Sequence, residues 1–342
     1  MSQVLMDRLL REYGAFTLKG IQHFIPNKEP KKYLYDLTLD YPSRGGKGFR
    51  PGLCIATCKA FGGSAELALN SAVSLELLHN AFLIHDDVED ESQFRRNKPT
   101  LHQDTNNAIA VNVGDALLAL ALAPLLQNRK LIGPRLTADI LLEIQHLVTE
   151  SVEGQAIELG WRKENNCSLT DSDYFRMILK KTCWYTCIHP IRIGALIGGH
   201  NQINPDRFNR LGYFMGVAFQ IQDDVLNLIG DEEKYGKEIG GDILEGKRTL
   251  MLIHLFQHGS PEELTFIQQF LSLPIRERQP EQAQQIMQWM HHYESIQHAK
   301  QVSKYMAGAA LKEFYSLFST LPNSEDKQLL ESIILYMIER GY

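Results

Sequence analysis

Apolar residues recur along the chain at intervals of three and four, and strict apolar–polar alternation is hard to find. The pattern therefore predicts helix nearly everywhere. Helices are expected near residues 3–14, 51–62, 66–91, 105–127, 132–160, 170–199, 205–230, 243–257, 261–272, 278–293, 296–320 and 324–340. The breaks carry the right punctuation: Pro51 opens one helix, Pro205 and Pro261 fall in first turns, and Gly62-Gly63 and Gly198-Gly199 close others. Pro190 lies inside the continuing apolar run CIHPIRIGALIGG, which predicts a kink and not a break. The stretches 66–85 and 105–127 are apolar on most faces and belong inside a bundle. No linker, repeat or low-complexity tract interrupts the pattern. The expected architecture is all-α, one large helical bundle over residues 1–342.

Two apolar helices end in oxygen-rich clusters. The first, His85-Asp86-Asp87-Val88-Glu89-Asp90-Glu91, follows SAVSLELLHNAFLI. Asp86 and Asp90 are four apart and share a face, about 6 Å apart along the axis, with Asp87 to the side but within reach of the same ion. The second, Gln220-Ile221-Gln222-Asp223-Asp224-Val225-Leu226-Asn227, follows LGYFMGVAF and repeats the spacing with Asp223 and Asn227. Bunched carboxylates repel one another, and at a helix C-terminus the dipole opposes them too. A divalent cation removes both costs. Oxygen ligands without histidine or cysteine favour a hard ion, and magnesium held jointly with phosphates fits.

Lys+Arg number 35 against Asp+Glu 41, a net charge of −6, which argues against a nucleic-acid binder. Local basic segments nevertheless adjoin the acidic clusters. They are Arg44-Gly45-Gly46-Lys47-Gly48-Phe49-Arg50-Pro51, then Arg95-Arg96-Asn97-Lys98-Pro99, then Tyr235-Gly236-Lys237 through Lys247-Arg248-Thr249. Glycine frees the backbone to approach a phosphate, and arginine forks and lysine point charges suit diphosphate oxygens. The five cysteines include no CxxC pair. Cys183 and Cys187, four apart, have only His189 nearby as a further zinc ligand, so they read as reduced, semi-buried thiols of a cytosolic protein. The N-terminal MSQVLMDRLLREYGAF carries charge throughout, unlike a signal peptide, and the longest apolar run, 116–126, is too short to span a bilayer. A soluble, cytoplasmic protein without a transmembrane segment is expected.

Taken together, DDVED at Asp86–Asp90, DDVLN at Asp223–Asn227 and GGKGFRP at 45–51 resemble the motifs of the trans-isoprenyl diphosphate synthases, also called polyprenyl synthetases. The resemblance implies the helical isoprenoid synthase fold with a central apolar cavity, usually as a homodimer. It implies magnesium, three ions with substrate bound, on Asp86, Asp87, Asp90, Asp223, Asp224 and Asn227, the last replacing the commoner aspartate. It places Lys47, Arg50, His79 and Arg96 on isopentenyl diphosphate and Arg95 on the allylic diphosphate. Lys181-Thr182, Gln220, Lys237 and Lys247 match further diphosphate-binding positions, and Asp86, Asp87, Asp90, Asp223 and Lys181 the catalytic ones. The implied reaction is head-to-tail condensation. The allylic carbon–oxygen bond breaks as its diphosphate is neutralised, the double bond of isopentenyl diphosphate attacks the cation, and the released diphosphate removes a proton.

Product length should be set where the tail descends from the metals along the helix ending at Asp86. Phe82 lies one turn below, with Leu78 a further turn down. Family members tend to carry an aromatic floor four and five residues before the first aspartate. Here Phe82 is paired with Ala81, a half-built floor, which predicts geranylgeranyl diphosphate first, with farnesyl or longer chains as alternatives. A class I terpene cyclase would need a different second motif, which Asn227 and Asp231 fail to supply, and no isopentenyl site. A non-catalytic modulating subunit would be expected to lose aspartates.

Overall fold

The computed structural model describes residues 2–230 and 240–339. The chain opens with α1 (Ser2–Phe24), then short helical turns over residues 31–43, α2 (Phe49–Ala60) and α3 (Ala65–Glu89). A two-stranded hairpin, β1 (Phe94–Arg95) against β2 (Lys98–Pro99), precedes α4 (Asn107–Leu120), α5 (Leu122–Leu131) and α6 (Pro134–Lys163). Next come α7 (Asp171–Ile178), a π-helical stretch Leu179–Ile188, α8 (His189–Gly198) and α9 (Asn209–Ile229). After α10 (Gly241–Glu245) the chain forms α11 (Leu250–His258), α12 (Pro261–Ser272), α13 (Pro280–His292), α14 (Ser295–Phe318) and α15 (Glu325–Glu339). The all-α expectation holds, and several boundaries move. The first helix continues to Phe24, and the helix expected at 243–257 is cut at Gly246, whose φ of 76° ends α10. Pro190 does not visibly break its helix. The stretch before it widens into π turns, with the His189 N–H donating to the Trp184 carbonyl five residues back.

Two apolar clusters form the core. One is built on α1 to α6, α8, α14 and α15; the other lies on α7 and α10 to α14. α9 serves both, giving Leu211, Met215 and Ala218 to the first and Val217, Ile221 and Val225 to the second. The π stretch is wider than an α-helix, and its neighbours make room with glycine. A Cβ on Gly154 of α6 would lie 2.2 Å from the Lys181 backbone nitrogen, and one on Gly216 of α9 would lie 2.7 Å from the Cys183 Cα. On α9, Gly216 is followed at four-residue steps by Gln220 and Asp224; on α6, Gly154 is followed by Glu158 and Arg162. Both strips run from a close contact to polar side chains at the same end of the bundle.

The five cysteines are free thiols, four of them buried and Cys167 half-buried. Among the described residues two helical stretches are long and apolar enough to cross a membrane, Ala65–Glu89 and Asn107–Leu131. The first has 67% of its apolar window buried in the bundle, whereas the second has 39%. The second exceeds the apolar run expected at 116–126 because helix continues through α4 and α5.

Candidate active site

At the polar end of α3 and α9 lies a cavity of about 220 Å³, lined by Asp86, Asp223, Asp224 and Asp242 on the acidic side and by Arg50, Arg95, Lys181 and Lys247 on the basic side. The sequence singled out all of these except Asp242. The α3 carboxylates divide by angle. Asp86 faces the cavity, where Lys181 Nζ approaches its Oδ1 at 3.4 Å. Asp87, 100° further round the helix, is fully buried and accepts from Arg95 Nε at 3.0 Å and from the Tyr41 hydroxyl at 2.6 Å. Asp90 is 1% exposed, pairs with Arg162, and lies 3.0 Å from Lys247 Nζ. Burial opposes its ionised form, but Lys247, Lys181 and Arg162 outweigh it and hold the carboxyl below its ordinary range. The sequence expects Asp86 and Asp90 to share a face with Asp87 to the side; in the fold Asp87 and Asp90 are both drawn into buried ion pairs, and neither lines this cavity.

The second cluster divides as well. Asp223 and Asp224 line the cavity. Asp224 accepts from the Tyr174 hydroxyl at 2.7 Å and from Gln220 Nε2 at 2.8 Å, while Gln220 Oε1 accepts from Thr182 at 3.0 Å. Burial, then Asp242, pushes the Asp224 carboxyl well above its ordinary range. Asn227 is 2% exposed and turned away. Its Oδ1 accepts the Asp242 backbone N–H at 2.9 Å and its carbonyl accepts the Gly240 N–H at 2.7 Å. The expected ligand at 227 is instead the clamp that folds α10 back and brings Asp242 to the cavity. Lys247 follows the left-handed Gly246 and is shared by Asp90, Asp242 and Glu245. Lys237, and Asp231 of the cyclase comparison, lie outside the described residues.

The basic side is organised by a tight turn. Arg96 and Asn97 have φ of 54° and 59°, the two left-handed positions that a two-residue hairpin requires. Arg95 turns in to Asp87, while Arg96 turns to the glycine-rich loop, donates to the Tyr41 carbonyl at 3.1 Å, and lies where a Cβ on Gly46 would meet it at 2.9 Å. Arg50 is buried, donates to Thr186 at 2.9 Å and lies 4.4 Å from the Tyr185 ring centre. Among the described residues its Nε and the buried His79 Nδ1 have no hydrogen-bond partner. Burial, then Arg50, pushes His79 well below its ordinary value, so the ring is neutral at pH 7. Lys47 is exposed and outside the lining, its Nζ 3.2 Å from the Tyr336 hydroxyl.

A second, apolar cavity of about 360 Å³ shares Leu83, Asp86, Lys181 and Tyr185 with the first. Phe82 lines it and packs edge-to-face on Tyr185, ring centres 5.6 Å apart. Its far wall is Leu118 of α4 with Val148, Val152 and Leu159 of α6. Leu78 and Ala81, expected to mark the tail's course, are buried elsewhere in the core. Eight residues turn a helix by 80° beyond whole turns and five by 140°, so neither faces where Asp86 does.

A model of the polyprenyl synthetase family matches residues 31–291. The chain belongs to the polyprenyl synthetase family. A geranylgeranyl diphosphate synthase of Methanosarcina mazei is 30% identical over the full length of both chains. The solved geranylgeranyl pyrophosphate synthetase of Pyrococcus horikoshii Ot3 superposes with a TM-score of 0.86, at 31% identity, covering 99% of each chain. A Corynebacterium glutamicum geranylgeranyl pyrophosphate synthase, solved with isoprenyl diphosphate and magnesium, superposes at 0.80 with 25% identity, covering 99% of this chain and 98% of that one. Within this polyprenyl synthetase, four residues that sequence reasoning left without a role stand at the site: Asp242, Glu158, Tyr174 and Tyr41. The glycine strips on α6 and α9 were the signal for Glu158; nothing linear points to the tyrosines.

Magnesium fits the donors present. Among the described residues no three protein groups converge on one point closely enough to hold an ion alone. Magnesium is commonly held by one or two carboxylates completed by substrate phosphates and water. Asp86, Asp223, Asp224 and Asp242 line one cavity, and burial, then Asp242, disfavours the charged form of Asp224 there.

Proposed function

We propose that this prenyltransferase condenses isopentenyl diphosphate head-to-tail with an allylic diphosphate, with magnesium, and releases geranylgeranyl diphosphate as its main product. The observation that carries this is the junction of the two cavities. A cavity lined by carboxylates and cations adjoins an apolar one, and the two share Leu83, Asp86, Lys181 and Tyr185. A diphosphate with a hydrocarbon tail has that division of chemistry.

Asp86 and Asp223, with Asp224 and Asp242 behind them, are the residues that would hold magnesium. Bound there, magnesium would neutralise the leaving diphosphate. Lys181, Lys247 and Arg95 face the same oxygens. Arg50 Nε and His79 Nδ1, both buried without a partner, are placed for a second diphosphate, isopentenyl diphosphate, joined by Lys47 and Arg96 from the adjoining loop. Leu83, Met177, Tyr185 and Phe219 line the space between with apolar surface, which excludes water from an allylic cation. The released diphosphate is the base for the proton lost. Phe82 lines the tail cavity and, with the α4–α6 wall, would limit the length of chain it takes.

The protein is also proposed to be a homodimer. Val111, Leu122, Leu126 and Leu131 on α4–α5 and Leu142 and Val152 on α6 are large apolar side chains left exposed, 40–66%. Light scattering after size exclusion tests this: twice the chain mass is expected, and Leu126→Glu should shift it toward one. A monomer, or association only with vesicles, would refute it.

The deciding experiment incubates purified protein with dimethylallyl or farnesyl diphosphate, isopentenyl diphosphate and magnesium, and resolves products by length. Absence of condensation by folded protein would overturn the reading. Phe82→Ala should lengthen the products; an unchanged distribution in an active variant would assign the limit to Leu118 or Val148.

A further inference from the structure

Glu158 belongs to neither aspartate cluster, yet it lines the polar cavity at 4% exposure. Its Oε2 lies 2.8 Å from Lys181 Nζ, and among the described residues its Oε1 has no hydrogen-bond partner. The same ammonium lies 3.4 Å from Asp86 Oδ1. One half-buried cation is thus divided between two carboxylates, and the nearer is not the expected metal ligand.

The placement is built into the helix contact. Gly154 admits the Lys181 backbone against α6, and one turn along the same strip Glu158 meets that lysine's ammonium. A further turn along, Arg162 pairs with Asp90. The distance from glycine to carboxylate is fixed by the helix repeat, so the backbone contact sets where the ammonium sits.

We propose that Glu158 is a positioning residue that draws the Lys181 ammonium off Asp86, so that the Asp86 carboxylate is not closed by lysine when a metal–diphosphate complex arrives. The proposal rests on the function proposed above. An ammonium has three donors, and its shorter, charge-assisted bond decides where it sits. Without the Glu158 carboxylate, Lys181 settles on Asp86 and competes with magnesium for the same oxygens. With it, Lys181 stands beside the diphosphate position and is held less closely to Asp86.

The test is calorimetric binding of an unreactive allylic thiolodiphosphate to the full-length protein across a magnesium series, with thermal melts of each variant. In Glu158→Gln the magnesium concentration for half-maximal binding should rise about tenfold, the worth of one charge-assisted hydrogen bond. At saturating magnesium the affinity should recover. Glu158→Asp, which keeps the charge but draws it back, should shift the midpoint in the same direction by less, and it carries the test if the glutamine variant does not fold. In a Lys181→Met background Glu158→Gln should no longer move the midpoint. A lower melting temperature with an unmoved midpoint would overturn the positioning role and leave Glu158 a counter-charge only. Wild-type protein that binds no analogue at any magnesium concentration would overturn the proposed function itself.

Discussion

The two aspartate clusters look alike in sequence, each at the polar end of an apolar helix, and the protein holds them by different means. Around the first, cations arrive from four other segments: Arg95 from the hairpin, Arg162 from α6, Lys181 from the π stretch and Lys247 from beyond α10. Around the second, the described donors to Asp224 are neutral, a phenol and an amide, while burial and the carboxylates of Asp242 and Asp223 disfavour its charge. One cluster is compensated by the fold. The other gathers Asp223, Asp224 and Asp242 at the cavity, where burial and the neighbouring carboxylates push Asp224 well above its ordinary range. The same local spacing can thus be tied to cations or to neutral donors, depending on what the rest of the chain brings to it.

That contrast breaks first at Arg95. Arg95→Met leaves Asp87 buried with only Tyr41, which should cost about 3–5 kcal/mol in denaturant unfolding. A loss near zero would mean that the first cluster does not depend on its counter-ions. Glu143, remote from the chemistry, is a control of the same compensated kind. Burial alone would raise its carboxyl, but Arg192, bonded at 2.6 Å through both oxygens, and His189 at 2.7 Å bring it down to about 2. With the folded value depressed, the stabilisation is complete above about 4.5 and fades as pH falls toward about 2, a contribution of ~3 kcal/mol. Burial lowers His189 below its ordinary 6.5, which also weakens the fold as acid is added. Glu143→Gln should flatten the acid limb of a stability–pH curve; a limb of unchanged steepness would locate acid sensitivity elsewhere. At the second cluster Tyr174→Phe should cost roughly 1–3 kcal/mol by removing a donor from buried Asp224. The smallest effect carries the opposite sign. Asp224→Asn should stabilise the metal-free protein by roughly 0.5–2 kcal/mol, as relieving a functional site often does, while lowering turnover. Destabilisation of metal-free protein by this change would show that the buried Asp224 carboxyl carries no such cost.

Periodicity made the helices legible because each apolar stripe records the face it buries, and the bunched carboxylates made the site legible because their repulsion demanded an explanation. What stayed hidden depends on the third dimension. Asp87 and Asp90 are assigned by angle and by cations distant in sequence, and Asn227 is diverted by a loop that needs its amide as a clamp. Lys181 and Glu158 meet only because two helices approach at Gly154. The π stretch is hidden too, since its side chains would suit an α-helix and only the glycines opposite reveal its width.

That π stretch also contains Cys183 and Cys187, both fully buried. Burial pushes the Cys183 thiol far up and the Cys187 thiol to about 12. The thiolate is the form that reacts with alkylating reagents, so at neutral pH neither sulfur is modified while the segment stays closed. Half-buried Cys167 lies upstream on the same chain and supplies an internal reference. The segment that carries Lys181 and Thr182 therefore holds its own clock: alkylation at Cys183 and Cys187, timed against Cys167, counts the openings of the helix that presents Lys181.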